Sequence, residues 1–171
     1  MTKGRRPRTR APWSVPLSLV LAIGCGGPTG PGPQEASFAP GQRVATAQQV
    51  ALELSAAHYE LNQVTLTVTL DNRGDSPLVA ERKGMLLEYG ELEFPVSDDT
   101  ASPLPEPLVV SPGERVELSL RFVMEQALVQ AATLHLLSLR RGEDQWLEPL
   151  RLAVPPPAAF VDAAQSPPEE P

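Results

Sequence analysis

The residue best placed to do chemistry is Cys25, the only cysteine in the 171-residue chain. It ends the run Leu-Ala-Ile-Gly-Cys (residues 21–25), after an arginine-rich start and a short apolar stretch. A thiolate is a nucleophile and a metal ligand. Because no second cysteine exists, an intramolecular disulfide is excluded. Cys25 is therefore either a free reactive thiol or the acceptor of a covalent group.

The first 24 residues have the composition of an export signal. All five of their charged residues are basic, and the first acidic residue of the chain is Glu35. A mostly apolar stretch follows over 13–23, and a small residue precedes Cys25. These are the parts of a secretory signal peptide. The alternative is a retained membrane span, but a spanning helix needs about 20 apolar residues, and Pro16 would interrupt this one.

The end of this segment resembles the lipobox of bacterial lipoproteins, in which a small residue precedes the cysteine that receives lipid. Gly24 and Cys25 carry the match, while Ala22 and Ile23 stand where leucine and a small residue are commonest. The resemblance implies cleavage between Gly24 and Cys25, lipidation of Cys25, and attachment to a membrane through that lipid. Gly26 is not the aspartate that retains enterobacterial lipoproteins in the inner membrane. This favours the outer membrane, facing the periplasm, in a Gram-negative cell.

No other residues combine into a recognisable reactive site. The two histidines, His58 and His135, have no cysteine, second histidine or acidic cluster at the spacing that a transition-metal site requires. His135 fits better as a hydrogen-bonded strand residue. The Gly-x-Ser-x-Gly elbow, the P-loop and the dinucleotide fingerprint are all missing from the sequence. We therefore expect a protein that is not an enzyme and that holds neither a metal nor a cofactor.

The mature chain is strongly acidic. Removing residues 1–24 leaves nine basic and 21 acidic residues, so the net charge changes from −7 to −12. Proteins that bind nucleic acid neutralise phosphates with lysine and arginine, so we expect no nucleic-acid partner. The same balance disfavours electrostatic binding to an anionic membrane, which leaves the lipid as the means of attachment.

Proline and glycine divide the mature chain into three parts. Residues 25–42 comprise the lipidated cysteine and a Gly/Pro-rich linker with little to bury. Residues 155–171 begin with three prolines and end with Pro-Pro-Glu-Glu-Pro, which predicts a disordered Pro/Ala/Glu tail. Between them, residues 43–154 are numerous enough for one domain with a hydrophobic core. This part contains no cysteine, so it folds without disulfides.

The domain has the residue alternation of β-strands. Residues 64–70 place valine and leucine at every second position with threonine between them, which predicts a strand with one buried face. Further strands are predicted at 50–54, 85–89, 92–96, 116–122, 133–140 and 146–154. Gly, Pro, Asn and Asp mark the turns between strands. This spacing predicts an all-β fold, a single antiparallel immunoglobulin-like β-sandwich of seven to nine short strands.

The domain also resembles the immunoglobulin-like domains of many bacterial envelope lipoproteins of unknown function. In these, a strand ending in Asn-x-Gly is followed by a Pro-Gly-Glu turn, here at residues 72–74 and 112–114. The resemblance covers residues 48–154 and implies a fold without an activity.

Two hypotheses for function follow from these features. In the first, the sandwich of a membrane-anchored envelope lipoprotein binds another envelope protein without catalysis, and a partner strand adds to an exposed edge. Leu92, Phe94 and Val96 mark that edge, because Pro95 lies among them and cannot donate to a ladder. In the alternative, loops including 97–107 form a small-ligand or carbohydrate-binding module beside aromatic side chains. Nothing in the sequence sets an oligomeric state.

Overall fold

The computed structural model describes residues 31–98 and 104–165, and almost all of its regular structure is β. This part of the chain contains thirteen strands: β1 (Gln34–Ser37), β2 (Val44–Ala47), β3 (Val50–Tyr59), β4 (Gln63–Asn72), β5 (Leu78–Ala80), β6 (Met85–Tyr89), β7 (Leu92–Pro95), β8 (Leu108–Val110), β9 (Arg115–Val123), β10 (Ala132–Leu136), β11 (Leu139–Arg141), β12 (Gln145–Trp146) and β13 (Leu150–Val154). A 3₁₀ turn covers Arg82–Gly84, and one helix, α1, covers Ala158–Gln165.

The first layer is a five-stranded antiparallel sheet centred on β3 and β4. These two ten-residue strands form a hairpin, and alternate residues of β4 are fully buried, as the valine–threonine pattern predicts. β9 pairs with the other side of β4 along its whole length. β1 and β2 pair end to end with the free side of β3, separated by a bulge near Ser55.

The second layer consists of two four-stranded sheets with orders β13-β10-β6-β7 and β12-β11-β5-β8. The two orders match position by position: β13 follows β12 in the chain, β11 follows β10, β6 follows β5, and β8 follows β7. The two sheets therefore form one layer with a break across its middle. Hydrogen bonds cross the break from Glu81 N–H to the Ser138 carbonyl (3.2 Å) and from Leu137 N–H to the Gly84 carbonyl (2.7 Å). A side chain at Gly84 would not fit, since its Cβ would lie 2.5 Å from Ser138.

The hydrophobic core lies between the two layers. A strand with one apolar face must cover that face with another element, and both layers turn their alternate valine and leucine residues inward. The largest fully buried side chains belong to Tyr59, Phe122 and Phe160. The prediction of a single all-β antiparallel sandwich is confirmed.

The predicted linker 25–42 is too long, because β1 begins within it. Gln34–Ser37 pairs antiparallel with the end of β3. Phe38 packs against the core, and its N–H donates to the Ser55 carbonyl at 2.9 Å. This pairing satisfies backbone groups of β3 that would otherwise lie at an open edge, which explains why a segment with few apolar residues joins the sheet.

The predicted disordered tail 155–171 also begins too early. Residues 158–165 form α1, and Phe160 is almost completely buried in the core. The N–H groups of Phe160 and Val161 donate to the Pro157 carbonyl at 3.1 and 3.3 Å, which starts the helix directly after the prolines. A helix this short depends on tertiary packing, and Phe160 supplies it. Residues 166–171 lie outside the described residues.

The described strands outnumber the predicted seven to nine mainly because the second layer is broken. Predicted strand 133–140 is divided between β10 and β11, and predicted strand 146–154 between β12 and β13. β5 and β8 have three residues each, too few for an alternating pattern to be recognised. The narrower immunoglobulin-like assignment stays a prediction.

The two ends of the sandwich are built from different loops. One end, which we call the tether pole, lies beside the start of β1 and contains the turns and loops at 60–62, 90–91 and 124–131. Hydrogen bonds join these parts, for example from Met124 N–H to the Asn62 carbonyl at 2.7 Å. The other end, the far pole, contains the turns and loops at 48–49, 73–77, 111–114 and 142–144. β4 runs from one pole to the other, a distance of about 30 Å.

Candidate interaction surfaces

The edge predicted to receive a partner strand is β7, the last strand of its sheet. Leu92 is 49% exposed, and Phe94 is half-buried against the core. Val96 is buried and forms a bridge to Phe122 of β9. The free edge therefore ends before Val96. The assignment of Val96 to that edge is corrected, because the two layers meet at this point.

The backbone of β7 offers little to a partner strand. Val96 N–H donates to the Met85 carbonyl at 3.3 Å, and successive residues of a strand face opposite sides. Phe94 and Leu92 therefore also face β6, which leaves Glu93 and Pro95 facing outward. Proline has no N–H, so Glu93 provides the one outward N–H within β7, next to its own exposed carboxylate.

A different surface presents the largest exposed apolar side chain among the described residues. Trp146 of β12 is 63% exposed, and Val109 of β8 is 54% exposed. The strands between them carry Arg140, which is half-buried, and Val79, which is buried. We call these four residues the tryptophan row.

The register of the sheet aligns the tryptophan row across all four strands. Trp146 is paired with Arg140, Arg140 with Val79, and Val79 with Val109. On β5 and β8 both neighbours of the row residue are buried in the core, and so are Leu139 beside Arg140 and Leu147 beside Trp146. The row therefore lies on the outer face. Sequence reasoning missed it because the four residues are far apart in the chain. The available signal was a tryptophan two residues beyond a polar hairpin turn.

Two charged side chains near the tryptophan row, Arg140 and Glu81, are held in place by contacts within the domain. Arg140 Nη1 donates to the Glu143 carbonyl at 3.1 Å, which holds the guanidinium at the far pole. At the break in the layer, Glu81 forms a 2.8 Å ion pair with Lys83. The bond from Lys83, and then the charge of Arg140, hold the pKa of Glu81 below its usual value. Tryptophan and arginine are the residues most enriched where binding energy concentrates in protein interfaces.

The aromatic side chains that a sugar-binding site would use lie mostly in the core. Tyr59, Tyr89 and Phe122 are buried. Tyr59 Oη donates to the Pro155 carbonyl at 2.6 Å. Burial raises the pKa of Tyr59 to about 12, against a smaller lowering by Arg43. Trp146 is the one mostly exposed aromatic among the described residues, so they form no aromatic patch beside loop 97–107.

A cavity of about 390 Å³ does lie beside the described ends of that loop. Its lining is charged rather than aromatic: Arg82, Lys83, Pro95, Val96, Asp98 and Glu106. Arg82 forms an ion pair with Asp98, and its N–H donates to Glu106 at 3.2 Å. Since these charges already have partners within the domain, the cavity is a weak candidate for a ligand site.

The two histidines occupy separate places and bind acidic side chains. His58 lies between Glu35 (3.4 Å from Nδ1) and Glu60 (3.2 Å from Nε2) at the tether pole. His135 is buried in β10, as expected for a strand residue, with Nε2 2.6 Å from Glu88. The expected hydrogen bond is not formed at this nitrogen, because the contact lacks hydrogen-bond geometry. Within residues 31–98 and 104–165, no three His, Cys, Asp or Glu residues cluster closely enough to hold a metal.

The predicted cleavage and lipidation site, Gly24 and Cys25, lies outside the described residues. Among the residues that are described, no helix has the length and apolar character needed to cross a membrane.

Comparison with known proteins supports the fold alone. No family model and no curated protein matches the chain. The candidate lipoprotein ycdA of Bacillus subtilis shares 14% identity over 70% of this chain, with a TM-score of 0.54. The match covers 41% of that protein, so this chain spans less than half of its length. The yjhA protein of Bacillus subtilis shares 16% identity over 55% of this chain and 76% of its own, with a TM-score of 0.44.

Proposed function

We propose that this chain is an exported lipoprotein, held in a cell-envelope membrane by lipid on Cys25, whose sandwich binds another envelope protein without catalysis. In a Gram-negative cell the membrane is the outer membrane, and the domain faces the periplasm. The observation that carries the binding role is the tryptophan row, with Trp146 63% exposed in register with Arg140 and Val109.

The anchor is supported by the chain's first 25 residues. A basic start, a short apolar stretch and Gly24-Cys25 are the parts of a lipoprotein signal. A similar fold in a Bacillus subtilis protein described as a candidate lipoprotein agrees with it. One acyl chain holds a protein only reversibly, whereas two or more hold it stably, so a lipoprotein anchor needs no help from the acidic domain.

The tryptophan row is better suited to a protein partner than the β7 edge. Specific interfaces concentrate their energy in buried tryptophan and arginine side chains surrounded by apolar contacts. The row has both residue types and two valines on one sheet face. The β7 edge offers one outward N–H beside a carboxylate, so main-chain pairing would contribute little there.

A carbohydrate or small-ligand module is the alternative function, and Trp146 is the observation that favours it. The face of an exposed indole can stack on an apolar sugar face. A sugar site would use Trp146 without needing Val109, which lies three strands away. A protein interface would need both.

The anchor is tested by metabolic lipid labelling of cells that express the wild-type chain or Cys25→Ser, followed by membrane fractionation. We expect label and membrane association in the wild type and neither in the variant. Unlabelled wild-type protein, or a Cys25→Ser chain that is still labelled, would overturn the anchor.

The binding role is tested by cross-linking in intact cells and capture of the chain with its partners. Trp146→Ala and Val109→Ala should each weaken recovery of the same partner, the first by about tenfold or more. Leu92→Ala is the matched control, because it removes an exposed leucine at the β7 edge. Loss of the partner with Leu92→Ala alone would restore the edge hypothesis. Capture of glycan in place of protein, sensitive to Trp146→Ala alone, would favour the alternative.

A further inference from the structure

The tether pole exposes aliphatic side chains that the sandwich itself does not cover. Leu61 at the tip of the β3–β4 hairpin and Val123 at the end of β9 are each 53% exposed, and Leu92 opens β7. These are three of the seven large apolar residues exposed among the described residues. Exposed apolar side chains at one end of a domain offer a surface to a membrane or to a partner.

Pairing of the strands brings these side chains to the same end of the molecule. Val123 is the register partner of Gln63, two residues after Leu61. Leu92 is paired with Tyr89 across the β6–β7 turn. Tyr89 Oη in turn donates to the Ala127 carbonyl at 3.3 Å, which ties that turn to the loop following Val123.

The anchor enters the domain at this same pole. β1 begins at Gln34, whose register partner is Tyr59 at the end of β3. Gln34 is nine positions after Cys25, so the tether reaches at most about 30 Å when fully extended and about 16 Å as a flexible coil. Residues 31–33 lie against the β3–β4 turn, where they line a cavity of about 310 Å³ together with Glu60, Leu61 and Asn62.

We propose that the tether pole rests on the bilayer that holds the lipid anchor, with Leu61, Val123 and Leu92 at the level of the lipid headgroups. This proposal rests on the lipidation of Cys25. A short tether keeps the pole at high effective concentration near the bilayer, so a small apolar contact is sufficient. A bilayer interface accepts apolar side chains that water does not.

The charges of the pole determine the kind of lipid surface that it fits. Glu60, Glu91 and Glu125 lie in its turns and loops, and residues 60–62, 90–91 and 124–131 contain no lysine or arginine. An anionic surface repels such a pole. The contact therefore requires neutral, zwitterionic headgroups, and anionic lipid weakens it.

This orientation places the tryptophan row at the end of the domain that lies away from the bilayer. The β11–β12 turn belongs to the far pole, where Gly142 N–H donates to the Pro77 carbonyl at 2.9 Å. Trp146 therefore stands about 30 Å from the bilayer, on the side from which a soluble or membrane-bound partner approaches.

Tryptophan fluorescence can test the orientation, because removal of residues 1–24 leaves Trp146 as the only tryptophan. The lipidated protein is placed in phosphatidylcholine vesicles whose acyl chains are brominated near the headgroup, which quenches nearby indoles. The test variant is Leu61→Trp with Trp146→Phe. The matched control is Val109→Trp with Trp146→Phe, which puts the indole at an equally exposed site near the far pole.

We expect the Leu61→Trp variant to lose emission and shift to shorter wavelength on brominated vesicles, while the wild type and the Val109→Trp variant keep their emission. Replacing part of the phosphatidylcholine with phosphatidylglycerol should restore emission. If both variants float with the vesicles but show equal emission, the proposed orientation is wrong and the anchor is still supported. Quenching that increases with anionic lipid would overturn the proposed headgroup contact. Wild-type protein that fails to float would overturn the anchor and this inference together.

Discussion

The two poles of the sandwich differ in how side chains form hydrogen bonds with the backbone of their loops. At the far pole, the buried side chain of Asn72 binds three backbone groups: its Nδ2 donates to the carbonyls of Ser76 (2.9 Å) and Val110 at the end of β8 (3.0 Å), and its Oδ1 accepts from Gly74 N–H (3.1 Å). At the tether pole, single tyrosine hydroxyls reach out of the core to backbone carbonyls, and aliphatic side chains remain exposed.

This difference agrees with the proposed roles of the two ends. A polar network fixes the loops beside the tryptophan row without help from a partner, so the row is presented in one arrangement. The tether pole instead leaves apolar surface that a lipid headgroup layer can cover. The difference between the poles can be tested by substitutions at one pole. Each is compared with a matched control substitution, either at a neighbouring residue or at the opposite pole.

The largest effect is expected at the helix that follows the last strand near the tether pole. Phe160→Ala should lower the free energy of unfolding by about 3–5 kcal/mol, because it removes a large side chain from the core and leaves a cavity. Denaturant unfolding of the soluble Cys25→Ser chain measures this. Val161→Ala, at the next and less buried position, should cost less than about 1 kcal/mol. Equal effects would mean that α1 does not complete the core.

The second prediction concerns the polar network of the far pole. Asn72→Ala should lower the free energy of unfolding by about 3 kcal/mol, because two carbonyls and one N–H lose their partner. Asn62→Ala makes the same change in an exposed turn at the tether pole, and should cost no more than about 0.5 kcal/mol. If both asparagines had the same effect, the contrast between the poles would fail.

A third prediction uses the tyrosine that links β3 to the segment before α1. Burial raises the pKa of Tyr59 to about 12, so the folded protein favours the neutral phenol. The resulting stability is fully present below pH 10, declines as pH rises above 10, and is lost by about pH 12. A shift of two pKa units corresponds to about 3 kcal/mol of stability. Tyr59→Phe should lose the bond to Pro155 but should show a flatter decline in stability between pH 10 and 12.

The sequence predicts the long strands well because their alternation is a local signal. β4 buries every second residue, so its pattern follows directly from the side chains in order. β1 has no such signal, since Gln-Glu-Ala-Ser joins the sheet only because β3 has an unpaired edge. α1 is hidden for a similar reason, since the packing of Phe160 into the core is a long-range contact.

The candidate surfaces also divide into those with a local sequence signal and those that depend on long-range contacts. Pro95 marks an edge strand within a five-residue window, so β7 and the exposed Leu92 are predictable. The bridge from Val96 to Phe122 depends on how the two layers meet. The tryptophan row depends on the register of four strands, each of which has only two or three residues, too few for a clear pattern. Register of this kind is set by tertiary structure.

The smallest predicted effect compares one hairpin from each pole. In the β6–β7 turn near the tether pole, the left-handed position is Gly90 (φ 65°), whereas the β2–β3 turn at the far pole places Gln48 (φ 47°) and Gln49 (φ 64°) in that region. A left-handed conformation costs a residue with a side chain about 1–2 kcal/mol, and glycine avoids it. Two-residue hairpin turns of this kind favour glycine.

Gln49→Gly should therefore raise the free energy of unfolding, by about 0.5–1 kcal/mol after the greater flexibility of unfolded glycine is counted. The gain is limited because Gln49 Oε1 accepts a long 3.3 Å bond from Arg141. Gln48→Gly is the matched change and should gain less, because Gln48 Oε1 accepts a 3.0 Å bond from Glu148 N–H near the tryptophan row. Denaturant unfolding compares the two. A larger gain from Gln48→Gly would mean that the bond from Glu148 N–H to Gln48 does not help to fix the far pole.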